Sequence, residues 1–104
     1  MLIKRGEIYS KQAGHRPVVV LQNNVGNEFS PTTIVAPFTT KSFDKEYPTN
    51  VFVSKSVGNL KSDSTILLSQ IRTIDKTRLE KKIGHLPDSL LPRVNAAIKI
   101  SLAL

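Results

Sequence analysis

The sequence has no cysteine, and only 6% of its 104 residues are aromatic. The absence of cysteine excludes disulfides and cysteine-ligated metal sites, and it fits a reducing compartment. The first residues carry a basic pair, Lys4 and Arg5, but no apolar stretch follows it, so we do not expect a signal peptide. No apolar run approaches the roughly 18 residues that a membrane-spanning helix needs. We therefore expect a cytoplasmic protein with no membrane partner.

Acidic residues are also scarce, since 8 Asp and Glu stand against 15 Lys and Arg, a net charge of +7. This balance favours a polyanionic partner, either a nucleic acid or an acidic protein. Many small basic proteins are merely well solvated, so the charge alone does not assign a function. The length predicts one domain over residues 1–104, with a modest core. Domains this small are only marginally stable alone and often gain stability from dimerisation.

Runs of apolar and β-branched residues indicate strands in the first two thirds of the chain. We predict them at 17–22, 32–40, 49–54 and 65–71, with a shorter one around Ile8 and Tyr9. Pro37 cannot donate to a strand ladder, so we expect an edge or a bulge there. By composition, residues 23–31 and 41–48 are predicted loops.

Two helices are predicted in the last third. The first covers 73–83, with Thr73 or Asp75 as its cap. The second has Asp88 or Ser89 as its cap and Pro92 in its first turn. Apolar residues then recur on one helical face at Leu90, Leu91, Val94, Ala97, Ile98 and Leu102.

Ile100 and Leu104 fall off that face, so the last helix contacts either a second subunit or further core. Short strands followed by helices predict an α+β fold on a curled antiparallel sheet.

Several fragments, taken together, resemble the MazF/PemK family of toxin endoribonucleases. They keep the order and spacing of the family motifs and read "KRGEIY" (4–9), "RPVVVLQNNVGNEFSPTTIVAPFTT" (16–40), "PTNVFV" (48–53), "ILLSQIRTIDKTRLEKKIGHL" (66–86) and "VNAAIKISLAL" (94–104). The resemblance implies an SH3-like barrel or curled sheet with a short helix and a C-terminal helix, and a homodimer. It also implies cleavage of single-stranded RNA without a metal or other cofactor. A cognate antitoxin would lay an acidic segment over the RNA groove, and DNA would be contacted only through that antitoxin.

Metal-free RNA cleavage proceeds by attack of the ribose 2′-OH on the adjacent phosphorus, and it needs a base, an acid and charge stabilisation. Arg16 fits the last role, because a guanidinium stays charged and suits two phosphate oxygens. The family's Arg in this "RP" pair is catalytic, so the resemblance carries that role to Arg16. Without the family, an Arg capping a sheet edge or pairing with a carboxylate would be the simpler interpretation. By the same resemblance, Thr39 lies beside Arg16 and donates its hydroxyl to the phosphate.

The sequence departs from its relatives in the loop before Arg16, where only "SKQAG" separates Tyr9 from His15. In the family this loop is longer, covers RNA and in some members supplies a catalytic acid. His15 titrates near neutrality, so it is a candidate base or acid. The alternative is a solvent-exposed loop histidine without a catalytic role.

A second departure is Ser69, where relatives usually carry Glu or Asp, and its effect would be an altered base preference or a weaker reaction. Gln70 can still bind a base edge through its amide, and Phe43 and Tyr47 can stack on bases. The full set of predicted RNA contacts is Gln22, Thr40, Lys41, Pro48, Ser64, Ser69, Gln70 and Arg72.

Three functions therefore compete. The first is a sequence-specific endoribonuclease toxin that cuts mRNA. The second is a family member that lost catalysis with its shortened loop and only binds RNA or antitoxin. The third is a gyrase poison of the same fold, which the "RP" pair and Thr39 disfavour because such poisons lack them.

Overall fold

Seven strands and two α-helices make up the part of the chain that the structure, a computed structural model, describes: residues 2–11 and 16–104. The strands are β1 (Glu7–Lys11), β2 (Val18–Val20), β3 (Thr32–Thr39), β4 (Asn50–Val53), β5 (Ser64–Leu67), β6 (Arg72–Asp75) and β7 (Leu79–His85). The helices are α1 (Asn24–Phe29) and α2 (Leu91–Leu102).

The strands form one antiparallel sheet in the order β4-β5-β3-β2-β1-β7, and β6 pairs with β3. The first half of β3 pairs with β6 as far as Val35, and its end pairs with β5 from Phe38. Pro37 lies between these two pairings, opposite Val18 of β2, so its missing N–H falls where β3 changes partner. The prediction of an α+β fold on a curled antiparallel sheet is confirmed, and the sheet stays open rather than closing into a barrel.

Two apolar clusters stabilise this arrangement. The larger lies between the sheet and α2 and includes Ile8, Val19, Phe38, Ile66 and Val94. The smaller lies on the opposite face, where β6 and β7 curl over β1, β2 and β3, and it includes Tyr9, Val18, Val35, Ile74 and Leu79. Alternating residues of β2 and β3 supply both clusters, which explains the nearly continuous apolar run of β2.

The loop predicted at 23–31 is wrong, because α1 occupies most of it. Asn23 caps the helix by accepting a hydrogen bond from the Gly26 N–H at 2.8 Å. Asn27 is fully buried, and its Oδ1 accepts from Thr33 Oγ1 at 2.7 Å and from Gln22 Nε2 at 3.1 Å. These side-chain hydrogen bonds, and one from Lys76 to the Asn27 carbonyl, hold the helix more than propensity does, which is why composition missed it.

The helix predicted at 73–83 is also wrong, because the segment forms β6, a 3₁₀ turn at Lys76–Arg78 and β7. Thr73 pairs with Ile34 of β3, and Lys82 pairs with Tyr9 of β1. Pairing with two neighbouring strands therefore overrides a local pattern that resembled a helix.

The C-terminal helix is confirmed, but it begins at Leu91 with Pro92 in its first turn. Asp88 and Ser89 lie in a preceding 3₁₀ turn, and neither side chain caps the helix. Val94 and Ala97 are buried, but Leu102 is 54% exposed and so leaves the apolar face predicted for it. Neither helix in the described ranges has the length and apolar character to cross a membrane.

Replacing Asn27 by Ala tests the polar network under α1. Asn27 Nδ2 also donates to the Gln22 carbonyl at 2.9 Å. The change leaves this carbonyl and the Thr33 hydroxyl without their buried partner, so we expect the free energy of unfolding to fall by about 2–4 kcal/mol. Urea denaturation followed by circular dichroism measures this difference. The matched control is Val25→Ala on the same helix, whose side chain is 69% exposed, and its effect should stay within about 0.5 kcal/mol. Equal effects of the two changes would contradict the structural role of Asn27.

Glu7 provides a pH-dependent contact between β1 and β7. Its carboxylate lies 2.7 Å from Lys82 Nζ and accepts from the Lys4 N–H at 2.7 Å and the Tyr9 hydroxyl at 3.1 Å. Burial acts to raise the pKa of Glu7, but these donors and the Lys82 charge together lower it below the usual 4.5. The unfolded state therefore takes up the proton first as the pH falls.

Glu7→Gln tests this contact. Because the pKa of Glu7 is lower in the folded state, its contribution to stability is present above about pH 4.5 and disappears as the pH falls below that value. We expect the wild type to lose more stability than Glu7→Gln between pH 6 and pH 3, measured by urea denaturation at each pH. Glu80→Gln, which changes an exposed carboxylate on β7, should follow the wild-type curve. A Glu7→Gln curve parallel to the wild type would exclude this stabilising role.

Candidate functional site

The pairing of β2 with β3 brings Arg16 and Thr39 together. The Phe38 N–H donates to the Pro17 carbonyl at 3.0 Å, one step beyond the pair Val18 and Pro37. Continuing this antiparallel register places Arg16 opposite Thr39, and opposite residues share one face of a sheet. Arg16 is exposed and Thr39 is partly buried, so both side chains can reach a ligand from solvent.

A cavity of about 320 Å³ opens beside this pair. Among the described residues it is lined by Arg16, Thr39, Lys41, Phe43, Tyr47, Thr49, Asn50, Leu67, Ser69 and Gln70. The structure therefore gathers five of the predicted site residues, which come from three separate segments of the chain, together with the two aromatic residues predicted to stack on bases. The seven side chains combine a fixed cation, hydroxyls, an amide and aromatic rings. Such a set can hold a phosphate and contact the bases next to it.

Ser69 and Gln70 reach the cavity because the predicted strand 65–71 is shorter than expected. β5 ends at Leu67, and Leu68–Gln70 form a 3₁₀ turn. Leu68 is buried, and its N–H donates to the Thr49 carbonyl at 2.9 Å. The next two side chains are exposed, so the turn anchors itself through Leu68 and presents Ser69 and Gln70 to solvent.

The Thr39 hydroxyl is poised to donate. Its Oγ1 accepts a hydrogen bond from the Lys41 N–H at 3.2 Å. A hydroxyl carries one donor and two acceptor positions. This contact therefore fixes the oxygen next to Arg16 and leaves its proton available for an anion.

A larger cavity, of about 940 Å³, adjoins the first and shares Lys41, Phe43, Tyr47 and Asn50 with it. Its lining includes three further predicted residues, Thr40, Pro48 and Ser64, and Arg93 of α2. Thr40 lines only this cavity and not the one beside Arg16, as expected for successive residues that point in different directions. The Ser64 hydroxyl donates to the Ser62 carbonyl at 2.9 Å. Its oxygen can therefore accept a hydrogen bond from a ligand.

Residues 41–48 contribute an aromatic pair to both cavities, and they lack regular secondary structure, as predicted. The rings of Phe43 and Tyr47 meet edge to face with centroids 5.8 Å apart. Lys41 Nζ lies 5.7 Å from the Phe43 centroid, and Lys45 Nζ lies 5.5 Å from that of Tyr47. These contacts place two cations and two rings on the same wall of the site.

Two of the predicted residues in the described ranges, Gln22 and Arg72, line neither cavity. Gln22 instead bonds to Asn27 and to the Thr32 carbonyl, so its amide serves α1. Arg72 is exposed on β6 opposite Val35. The prediction for His15 lies outside the described residues.

Sequence reasoning missed Thr49, Asn50 and Leu67 as cavity residues. The signal for the first two was the "PTN" fragment, which was read only as the start of a strand. No group of three His, Asp or Glu side chains in residues 2–11 and 16–104 converges as a metal site would require.

Comparison with known proteins assigns the family. The model of the PemK-like, MazF-like toxins of type II toxin–antitoxin systems matches residues 4–102. The chain belongs to the PemK/MazF toxin family. The resemblance drawn from the sequence fragments is therefore confirmed over nearly the whole chain.

Two curated members of the PemK/MazF family are especially similar. Endoribonuclease EndoA of Bacillus subtilis is 47% identical, with coverage of 100% of this chain and 97% of the relative. Endoribonuclease MazF of Staphylococcus saprophyticus is 46% identical, with coverage of 99% and 93%. The first alignment needs 113 positions for the 104 residues here, so EndoA has residues that this chain lacks.

Solved structures agree with the fold. A mycobacterial endoribonuclease, determined in complex with its cognate antitoxin, superposes with a TM-score of 0.86 over 98% of this chain and 96% of its own. Its sequence is 22% identical, so this likeness concerns the fold.

Proposed function

We propose that this PemK/MazF-family toxin is an endoribonuclease that cuts single-stranded RNA, including mRNA, at short sequence motifs and without a metal ion. The observation that supports this proposal is the position of Arg16 opposite Thr39, on neighbouring strands, beside the smaller cavity. The curated relatives, which are endoribonucleases, support it. Cutting mRNA would stop translation and growth until a cognate antitoxin binds.

In the proposed reaction the ribose 2′-OH attacks the adjacent phosphorus and the bond to the 5′-oxygen breaks. The products are a 2′,3′-cyclic phosphate and a 5′-OH end. Arg16 neutralises the charge that builds on the non-bridging oxygens, and the Thr39 hydroxyl donates to one of them. His15, next to Arg16 in the sequence, is proposed to carry a proton.

The bases of the RNA would lie in the two cavities. Phe43 and Tyr47 provide ring surfaces for stacking, and Gln70 presents an amide that can bind a base edge. Ser69 replaces a carboxylate common in relatives, so we propose that the base preference differs from theirs. Thr40, Pro48 and Ser64 would contact the strand in the larger cavity, with Lys41 between the two.

The proposed protein partners are a second copy of the chain and an antitoxin. The outer side of α2 exposes Ile100 by 56%, and Leu104 just beyond the helix is 84% exposed. On β4, Phe52 is 52% exposed. These apolar side chains support a homodimer. The antitoxin would place an acidic segment over the basic cavities and alone would contact DNA. We propose that the toxin acts in the cytoplasm.

Arg16→Ala provides the main test of the cleavage mechanism. Wild type and variant are incubated with a long single-stranded RNA in EDTA, and the ends are mapped. We expect discrete wild-type cuts with 5′-OH ends, and a kcat about 10²–10³ lower in the variant because one stabilising donor is lost. Lys4→Ala removes an exposed cation outside the cavities and should keep wild-type activity. A 2′-deoxyribose at the cut should abolish cleavage.

Other outcomes would select a rival function. RNA that is bound with a steep salt dependence but left intact would indicate a binding module without catalysis. Inhibition of gyrase without RNA cleavage would indicate a gyrase poison. Cleavage that continues unchanged in Arg16→Ala would refute the assigned role of the guanidinium.

Two substitutions of Thr39 test whether its hydroxyl contributes to catalysis or its side chain only packs. Thr39→Val keeps the shape but loses the donor, so we expect kcat to fall by about 10-fold or more, while Thr39→Ser should retain most of the activity. Initial rates on a short RNA containing the mapped motif measure this. Because the site is partly exposed, both variants should unfold close to the wild-type midpoint. Equal rates for Val and Ser would contradict a role for the hydroxyl.

A further inference from the structure

Lys11 of the neighbouring strand β1 lies on the other side of Arg16 from Thr39. β1 pairs with β2 through Ile8 with Val19 and Tyr9 with Val18. Continuing this register places Lys11 opposite Arg16, on the side away from Thr39. Directly opposite residues in antiparallel strands have Cα atoms about 4.5–5.5 Å apart. Arg16 therefore lies between Thr39 on one side and Lys11 on the other.

Two more cations lie near Lys11. Lys11 pairs with Leu79 of β7, and Arg78 directly precedes Leu79 in the chain. Arg72 pairs with Val35, four residues before Thr39 on β3, and its charge acts on Lys11 across the smaller apolar cluster. The pKa of Lys11 agrees with this closeness, because it is lowered first by burial and then by the positive charges of Arg72, Arg78 and Arg16.

No carboxylate in the part of the chain that the structure describes forms an ion pair with these cations. The single ion pair within residues 2–11 and 16–104 joins Lys82 to Glu7, and Glu7 lies at the other end of β1 from Lys11. The remaining residues, Met1 and 12–15, include no acid in the sequence. Converging like charges cost stability unless an anion shares them. The cluster is thus suited to bind a polyanion.

We propose that Lys11, Arg72 and Arg78 form a subsite for the backbone phosphate of a nucleotide next to the cut, on the β1 side of Arg16. The inference rests on the proposed RNA cleavage. The strand then runs from the cavity across Arg16 and onto this β1 subsite, so one sheet face holds consecutive phosphates. Long Lys and Arg side chains span the roughly 4.8 Å between neighbouring strands. Phosphate contacts of this kind position the strand and carry no base preference.

The test uses the double variant Lys11→Gln/Arg78→Gln and, as a control with the same charge change, Lys4→Gln/Lys99→Gln. Kinetics are measured on an RNA that extends well beyond the cut on both sides. They are also measured on two shorter RNAs that keep the two nucleotides joined by the scissile bond, one truncated on the 5′ side of them and the other on the 3′ side. We expect the double variant to raise KM on the long RNA about tenfold, with kcat within about twofold of wild type. This penalty should vanish on one of the two shortened RNAs, because it lacks the phosphate that the subsite holds.

A second measurement keeps the proposal independent of catalysis. The Kd for a long RNA with a 2′-deoxyribose at the cut is measured against salt, and the slope should fall by about 0.7 for each lost phosphate contact. Lys11→Arg/Arg78→Lys, which keeps both charges, should restore KM and the slope. Thermal melts show whether each variant is folded.

Three outcomes would overturn the subsite. One is an unchanged KM and salt slope in the double variant. Another is a penalty that persists equally on both shortened RNAs, which would indicate a general field effect. The third is unchanged RNA kinetics with weakened binding of an acidic poly-glutamate peptide, which would indicate a protein partner there. A wild type that neither cuts nor binds RNA would instead refute the proposed function itself.

Discussion

The antiparallel register between β2 and β3 is the constraint on which the site depends. The hydrogen bond from the Phe38 N–H to the Pro17 carbonyl fixes that register immediately before Arg16. A shift by one residue would turn Arg16 to the opposite face, away from Thr39. Apolar clusters pack on both faces of β2, through Val18 on one face and Val19 on the other, and so hold the strand in its place in the sheet.

β3 pairs with three other strands, more than any other strand in the described ranges. It pairs with β2 along one side and with β6 and then β5 along the other. The change of partner leaves a gap at Pro37, where a residue without an N–H loses nothing. Beyond the gap the strand ends in Thr39, and the paired β5 ends in the turn that presents Ser69 and Gln70. A single strand thus brings together segments that are about 30 residues apart in the chain.

The polar contacts of α1 show that Gln22, a predicted RNA contact, has a structural role. Gln22 was expected to contact RNA, but its amide holds Asn27 and the start of β3. Lys76 also donates to the Asn27 carbonyl at 2.7 Å, so the helix is tied to the 3₁₀ turn before β7. Buried polar groups that are all paired in this way fix one arrangement of neighbouring segments. The hydrogen bond of Lys76 therefore helps to hold the 3₁₀ turn that also contains Arg78.

The sequence by itself determined the strands around β2, β3 and β4, the last helix and the basic charge, which follow from apolar periodicity and composition. The prediction of Arg16 and Thr39 as the central pair came from the order and spacing of the family motifs. Only the tertiary structure decided that 73–83 forms two strands, that Gln22 supports α1, and that Lys11 pairs with Leu79 of β7. The physical reason is that strand pairing and buried hydrogen bonds join residues distant in the chain, and local composition carries no record of which partner each residue meets.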